Sequence, residues 1–398
     1  MQTNAIRTDP DRRGSGLCFF RDRPPTDDSN QAQRRLLEIA ALADLDLAHS
    51  RRLDLIHSGD HHFERLLAAV EAAVREVWVE MYQVRADPVG WRLSSALAAA
   101  AARGVEVRLL VDRFGSAAIG PWFKTLRQHG ILVQWYRPWR PWSNPFRRTH
   151  RKLVVIDGET ASVGGMNIAA EFSDVLSGGH GWRDVSLWID GPAVWALRRQ
   201  FETAWVAAGG RPGRPLPVPR GRGTLCALCR PCAAGGNQAM AYRALVATAR
   251  EELLIATPYF LPDRPLRAAL AAAVRRGVDV HVVVPRLNDL WWFKHGARRH
   301  YLELLDRGVA VWERRDRMVH AKVAAADGLV AAVGSTNLNR LSFYGNSETL
   351  LLTADQRVVG EIRSMLRDES QASAERLAPH TWPRHPDRKP WAEAAAIA

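Results

Sequence analysis

No stretch of this 398-residue chain stays apolar for the ~18–20 residues a membrane-spanning helix needs, so no transmembrane segment is expected. The opening MQTNAIRTDPDRRGSG has no apolar core of the kind a secretory signal carries, and no such signal is expected. Cysteine is scarce. Only four occur, and Cys226, Cys229 and Cys232 fall within seven residues, which excludes a secreted disulfide framework. Acidic residues are in deficit, since 42 Asp+Glu face 55 Lys+Arg and leave a formal charge of +13. That excess points to a polyanionic partner, either an anionic membrane surface or a nucleic acid. Hydrophobic residues at 47% and charged residues at 24% are ordinary globular values and exclude wholesale disorder. The length suits roughly two or three domains.

From Gly59 the chain alternates regularly. A helical pattern from Phe63 to Val74 leads into an apolar run, Val77–Val84, that reads as a buried strand. The Ala-rich stretch Leu93–Ala102 is predicted helical, stops at Gly104 and hands over to a strand at Val105–Val111. The same order returns with a helix at Ala239–Arg250, a strand at Leu253–Phe260, a helix at Leu266–Arg275, a stop at Gly277 and a strand at Val278–Val284. Wording repeats as well as order: AAARGVEVRLLV at 100–111 answers AVRRGVDVHVVV at 273–284. A period this long exceeds solenoid repeats and indicates a duplicated domain. The expected division is an N-terminal extension of poor order at 1–50, with a helix-like stretch around Arg34–Ala48, and a first repeat at 51–206. A Gly/Pro/Arg/Cys linker at 207–238, a second repeat at 239–376 and a tail at 377–398 complete it.

Each repeat ends in one constellation. His150, Lys152, Asp157, Gly164 and Asn167 are answered by His320, Lys322, Asp327, Gly334 and Asn337 at the same offsets of 2, 7, 14 and 17 from the histidine. Asp157-Gly158 and Asp327-Gly328 are tight-turn sequences, so each motif is expected to run along a hairpin. Within a strand, alternate residues share a face, which aims His150 with Lys152 and His320 with Lys322. The small residues Gly164-Gly165 and Gly334-Ser335 allow close backbone approach to a ligand. Each half therefore supplies an imidazole, an ammonium and an amide, and two facing halves would hold a phosphate between two histidines.

Such a set suits phosphoryl transfer without a metal. One imidazole attacks phosphorus and the other protonates the leaving alcohol, then deprotonates the incoming one. Lys152, Lys322, Asn167 and Asn337 spread stabilisation over the non-bridging oxygens. Asp157 and Asp327 belong to the motif and enter the expected catalytic set, although the turn alone accounts for them. No cofactor is expected.

The paired motifs resemble the phospholipase D superfamily from Gly59 to about Leu352, and FRRTHRKLVVIDGETASVGGMNIAAEF, GWRDVSLWIDGP and HAKVAAADGLVAAVGSTNLNRLSFYGNSE resemble bacterial cardiolipin synthases. The resemblance implies an α/β fold of two tandem repeats packed around a single interface active site. It implies transfer of a phosphatidyl group from phosphatidylglycerol to an alcohol, with His150 as nucleophile and His320 as acid/base. It also implies that an acidic residue of each half, Asp184 and Glu348, pairs with the histidine of the other. Hydrolysis of phospholipid or nucleic acid by the same site is the alternative within enzymes, and a non-catalytic membrane- or nucleic-acid-binding scaffold the alternative outside them.

Cys226-x-x-Cys229-x-x-Cys232 lacks an adjacent fourth ligand for tetrahedral zinc, and no metal is assigned to it. The Arg/Trp-rich stretch 137–148 lengthens the first repeat's approach to its histidine by eight residues, from Gly130 to His150 against Gly308 to His320. Together with Trp291 and Trp292 it is expected to touch an anionic phospholipid membrane, with nucleic acid the less favoured partner. A peripheral enzyme on the cytoplasmic face of the membrane is the expectation.

Overall fold

The computed structural model describes residues 31–136, 148–219, 221, 223–230, 237–289, 291–371 and 374–378, with backbone alone at 291–296, 298–299 and 371. The first part of the chain runs α1 (Gln31–Ala43), β1 (Asp46–Ser50), β2 (Arg52–Ile56), α2 (Gly59–Ala72), β3 (Glu76–Met81), α3 (Pro88–Ala102) and β4 (Glu106–Asp112). It continues through α4 (Trp122–Gln128), β5 (Leu132–Tyr136), β6 (Lys152–Ile156), β7 (Thr160–Gly164), β8 (Ser186–Asp190) and α5 (Ala193–Ala207). The second part runs β9 (Thr224–Leu228), α6 (Gln238–Thr248), β10 (Glu252–Ala256), α7 (Arg264–Arg275), β11 (Asp279–Pro285), α8 (Trp291–Asp306) and β12 (Ala310–Arg314). It ends with β13 (Val323–Ala326), β14 (Val330–Gly334), α9 (Arg340–Tyr344), β15 (Leu350–Thr353), α10 (Gln356–Gln371) and β16 (Ala374–Arg376).

These strands form a seven-stranded sheet, β2-β8-β7-β6-β3-β4-β5, and a nine-stranded one, β1-β9-β15-β14-β13-β10-β11-β12-β16. Without its edge strands β1 and β16, the larger sheet repeats the order of the smaller. The β3-β4-β5 and β10-β11-β12 pairings are parallel, whereas the hairpins β6-β7 and β13-β14 are antiparallel. Local chemistry repeats too. Asp87 caps α3 by accepting from the Gly90 amide and Asp263 caps α7 from the Leu266 amide, each with a proline in the first turn. Gly104 and Gly277 follow these two helices, both at φ 90°.

Apolar side chains fill three layers. One lies outside the first sheet under α2, α3 and α4, and another outside the second sheet under α1, α6, α7 and α8. The third lies between the sheets with α5 and α10. Alternation along single strands feeds two layers at once, as Leu153 and Val155 of β6 enter the middle layer while Val154 and Ile156 enter the outer one. The halves are also joined by backbone, through parallel bridges Thr149–Ser347 and Arg183–Val319.

Three expectations need correction. The segment 31–50 is ordered: α1 packs on α6, β1 pairs with β9, and the buried Arg35 donates to Asp327 Oδ2 at 2.8 Å. The expected linker contains β9, a strand that takes the place of β2 in the second sheet. The strands expected at Val77–Val84 and Leu253–Phe260 end at Met81 and Ala256, because the residues that follow turn out of the sheet toward the site.

Candidate active site

His150 lies two residues ahead of β6, and His320 three residues ahead of β13. Backbone from the opposite half fixes each one. The His150 amide donates to Ser347 O at 2.9 Å, and the His320 amide donates to Arg183 O at 2.7 Å. Because Glu348 and Asp184 follow those two carbonyls in sequence, the same crossing delivers their carboxylates. His150 Nδ1 lies 3.0 Å from Glu348 Oε2, and His320 Nδ1 lies 2.5 Å from Asp184 Oδ2.

The two imidazoles differ in what else they meet. His150 Nδ1 is also 3.1 Å from the Ser335 carbonyl. Both neighbours are acceptors, so Nδ1 carries the hydrogen and Nε2 keeps its lone pair. His320 Nδ1 instead lies between the acceptor Asp184 and the donor Lys322 Nζ, which is 2.9 Å away. Tyr82 lies beside His150 with ring centroids 4.9 Å apart and planes tilted by 60°, whereas Phe172 and Trp182 flank His320 at 5.3 and 5.2 Å.

Lys152 and Lys322 are both buried, and each ammonium donates back to the carbonyl of its own histidine. Asn167 and Asn337 are buried as well, and their Oδ1 atoms have no hydrogen-bond partner among the described residues. A buried acceptor with no donor calls for a polar partner such as a water or a ligand hydroxyl.

Burial dominates the electrostatics. It pushes Lys322 down to about 8, and holds Lys152 well below the usual lysine range with help from Lys322. His150 is lowered by burial against the opposing pull of Glu348, and His320 is lowered further by burial, Lys322, Lys152 and His150. The pairs His150–Glu348 and His320–Asp184, with the backbone bridges Thr149–Ser347 and Arg183–Val319, bring the basic groups of both halves to one interface. The carboxylates diverge. Burial raises Asp184 to about 7, against the pull of Lys322. Burial also acts to raise Glu348, but His150, Lys152 and the Ser335 hydroxyl outweigh it and hold Glu348 below the usual range.

Asp157 and Asp327 do not join this set, which corrects the expectation of a catalytic role. They occupy the hairpin turns at the far ends of β6 and β13, with φ of 53° and 54°. Asp157 accepts the amides of Val74, Arg75 and Glu76, and Asp327 those of Arg250, Glu251 and Glu252. Each clamps the link between a helix and the next strand. Cys226 and Cys229 enter different core layers, the middle and the outer, so the two thiols do not converge on one ion. Cys232, Trp139 and Trp142 lie outside the described residues, as do the side chains of Trp291 and Trp292. Sequence reasoning did not single out Tyr82, Phe172 or Trp182, or a hydroxyl role for Ser335. The place to look was where the strand patterns stop.

The family described as "Cardiolipin synthase, PLD-like domain" matches residues 66–205 and 242–368. Cardiolipin synthase A of Pseudomonas aeruginosa is 34% identical over 336 residues, covering 82% of this chain and 68% of the relative. Cardiolipin synthase A of Pseudomonas entomophila is 32% identical over 335 residues, covering 82% and 70%. Among solved structures, a phosphatidylserine synthase of Haemophilus influenzae Rd KW20 superimposes with a TM-score of 0.70 at 15% identity, covering 92% of this chain and 96% of that one. A polyphosphate kinase from Porphyromonas gingivalis gives a TM-score of 0.59 at 18% identity, over 83% and 49%. The fold is thus of the phospholipase D type, and the chain belongs to the cardiolipin synthase family of PLD-like enzymes.

Proposed function

We propose that this member of the cardiolipin synthase family transfers a phosphatidyl group from phosphatidylglycerol to an alcohol acceptor through a phosphohistidine on His150. The observation that carries the division of labour is the setting of the two Nδ1 atoms. His150 Nδ1 meets two acceptors, which leaves Nε2 as a nucleophile of fixed tautomer. His320 Nδ1 meets an acceptor and a donor, a setting in which its imidazole gives and takes protons.

In the first step Nε2 of His150 bonds to phosphorus while the bond to the leaving glycerol oxygen breaks, and His320 protonates that oxygen. Asp184, raised to about 7 by burial, replaces the proton at Nδ1. In the second step His320 removes the proton of the incoming alcohol, whose oxygen bonds to phosphorus as the His150 nitrogen leaves. The proton returns through His320 to Asp184, so the cycle balances. Lys152, Lys322, Asn167 and Asn337 stabilise the non-bridging oxygens throughout.

No helix among the described residues is long and apolar enough to cross a membrane. The reading is of peripheral docking at an anionic bilayer on the cytoplasmic face. It is supported by exposed apolar side chains in loops that border the site. Phe114 is 69% exposed beneath the Arg148 guanidinium, and Val175 is 78% exposed in the loop leading to Trp182. Apolar tips beside cations suit an anionic lipid surface. The test is to incubate the protein with vesicles of labelled phosphatidylglycerol and, separately, with DNA. Labelled phosphatidyl transferred to an alcohol, with free glycerol and intact DNA, is expected. Release of phosphatidic acid alone, or cleaved DNA, would replace transfer with hydrolysis.

A further inference from the structure

We infer that Glu80 and Arg151 are positioning residues that hold the His150–Glu348 pair in place from behind, a support the second half lacks. The inference rests on the nucleophilic role proposed for His150. Glu80 of β3 is fully buried, and its Oε1 accepts from the Thr149 hydroxyl at 2.5 Å and faces Arg151 Nη1 at 3.5 Å. It thereby grips the residues on both sides of His150. Arg151 is buried too, with Nε donating to the Glu348 carbonyl at 3.2 Å and Nη1 to the Gln200 carbonyl at 3.3 Å. The guanidinium therefore ties the backbone of Glu348, whose carboxylate holds the ring, to α5 and β3.

Strand register identifies the counterparts. Glu80 pairs with Leu153 and Ala256 with Val323, both three residues after their histidines. The second half thus has Ala256 for Glu80 and Ala321 for Arg151. Where the first half has Glu80 and Arg151, the second has a small void with room for about one water against Ala256, Ala321, Asp184 and Met365. The void is lined also by Arg183 and Glu369, which pair with each other at 3.3 Å.

Burying an ion pair costs desolvation, and a pair of alanines suffices behind His320, so packing alone does not call for Glu80 and Arg151. The chemistry does. A nucleophile must be aimed in line with the breaking bond, where a displacement of about 1 Å costs ~10²-fold in rate. An acid/base must reach both a leaving and an incoming oxygen, and slack behind it is tolerable.

The experiment is the double variant Glu80→Ala/Arg151→Ala, which gives the first half the arrangement that the second half already folds with. Melting and circular dichroism establish that it is folded. Rapid alkaline quench with labelled phosphatidylglycerol vesicles then measures phosphoenzyme formation and decay. Formation is expected to slow by about 10–100-fold, with KM within about 2-fold and decay of preformed phosphoenzyme within about 3-fold. Glu80→Gln, which retains an acceptor for Thr149, is expected to recover most of the rate. A folded double variant that forms phosphoenzyme at the wild-type rate, or slows both half-reactions equally, overturns the inference. Failure of the wild-type protein to form phosphoenzyme overturns the role of His150 and the inference with it.

Discussion

The two half-sites carry the same histidine, lysine and asparagine in the same register, yet differ behind the imidazole. Behind His150 stand Glu348 with a hydroxyl bond from Ser335, and the Glu80–Arg151 pair. Behind His320 stand Asp184, Gly165 in the place of Ser335, and two alanines beside a small void. One carboxyl group is held below its usual range and the other is raised to about 7. On the mechanism proposed above, duplication supplies a symmetric phosphate cradle, and the residues that broke the symmetry divide the labour. An anionic partner with a fixed tautomer suits attack on phosphorus. A partner that titrates near neutrality suits proton transfer.

Removing either imidazole tests the division most severely. His150→Ala should lose phosphoenzyme and turnover together, by about 10³–10⁴-fold or more. His320→Ala should lose turnover comparably, yet still form phosphoenzyme from a donor whose leaving group needs no proton, such as a p-nitrophenyl ester. Equal behaviour of the two variants on that donor would break the comparison.

Exchanging the residues behind the carboxylates is the next largest change. A Cβ at Gly165 would stand 2.3 Å from Asp184 Oδ1, so Gly165→Ser should cost roughly 10²-fold in kcat by displacing the carboxylate. Ser335→Ala removes the hydroxyl bond to Glu348, worth about 1.5–3 kcal/mol, together with the acceptor of the Thr349 amide, and should cost roughly ten- to a hundredfold. The same change should raise the acid limb of the pH–rate profile, because Glu348 loses a donor that keeps it ionised. A milder effect from Gly165→Ser than from Ser335→Ala would reverse the reading.

The alkaline limb comes next. Burial raises Asp184 to about 7 and lowers Lys322 to about 8, so activity should fall as pH rises. It should fall first as Asp184 loses the proton it passes to His320 and then, along the upper part of the limb, as Lys322 loses its charge. Lys322→Arg, if it retains measurable activity, should carry that upper part upward because a guanidinium stays charged. An upper part that does not move would assign it to another group.

The smallest effect on chemistry should come from the motif aspartates. Asp327→Ala loses three amide bonds and Arg35, which should lower stability by about 1–3 kcal/mol in urea unfolding. Folded Asp327→Ala protein should keep kcat within about 3-fold of wild type. A larger loss without a change in stability would return Asp327 to the catalytic set.

The repeat was legible because duplication prints the same residues twice, and five spaced matches outweigh weak local propensity. Strand β9 was not, since its five residues sit among Gly, Pro and Arg and gain their pairing only from β1 and β15. The helix-like stretch around Arg34–Ala48 was visible, but its docking was not, because Arg35 reaches Asp327 across the whole chain. Histidine and lysine were read from spacing. Asp184 and Glu348 came only through family resemblance, because a partner from the other half leaves no local period. Glu80 and Arg151 have no counterpart in the second repeat, so the duplication that revealed the motif concealed them.

The central claim is that the halves share a phosphate and divide its chemistry, with the covalent bond formed in the first. Mapping the label in alkali-quenched wild-type protein after reaction with labelled phosphatidylglycerol tests this most directly. Label is expected on Nε2 of His150 and none on His320. Label on His320, or divided equally between the two, would contradict it.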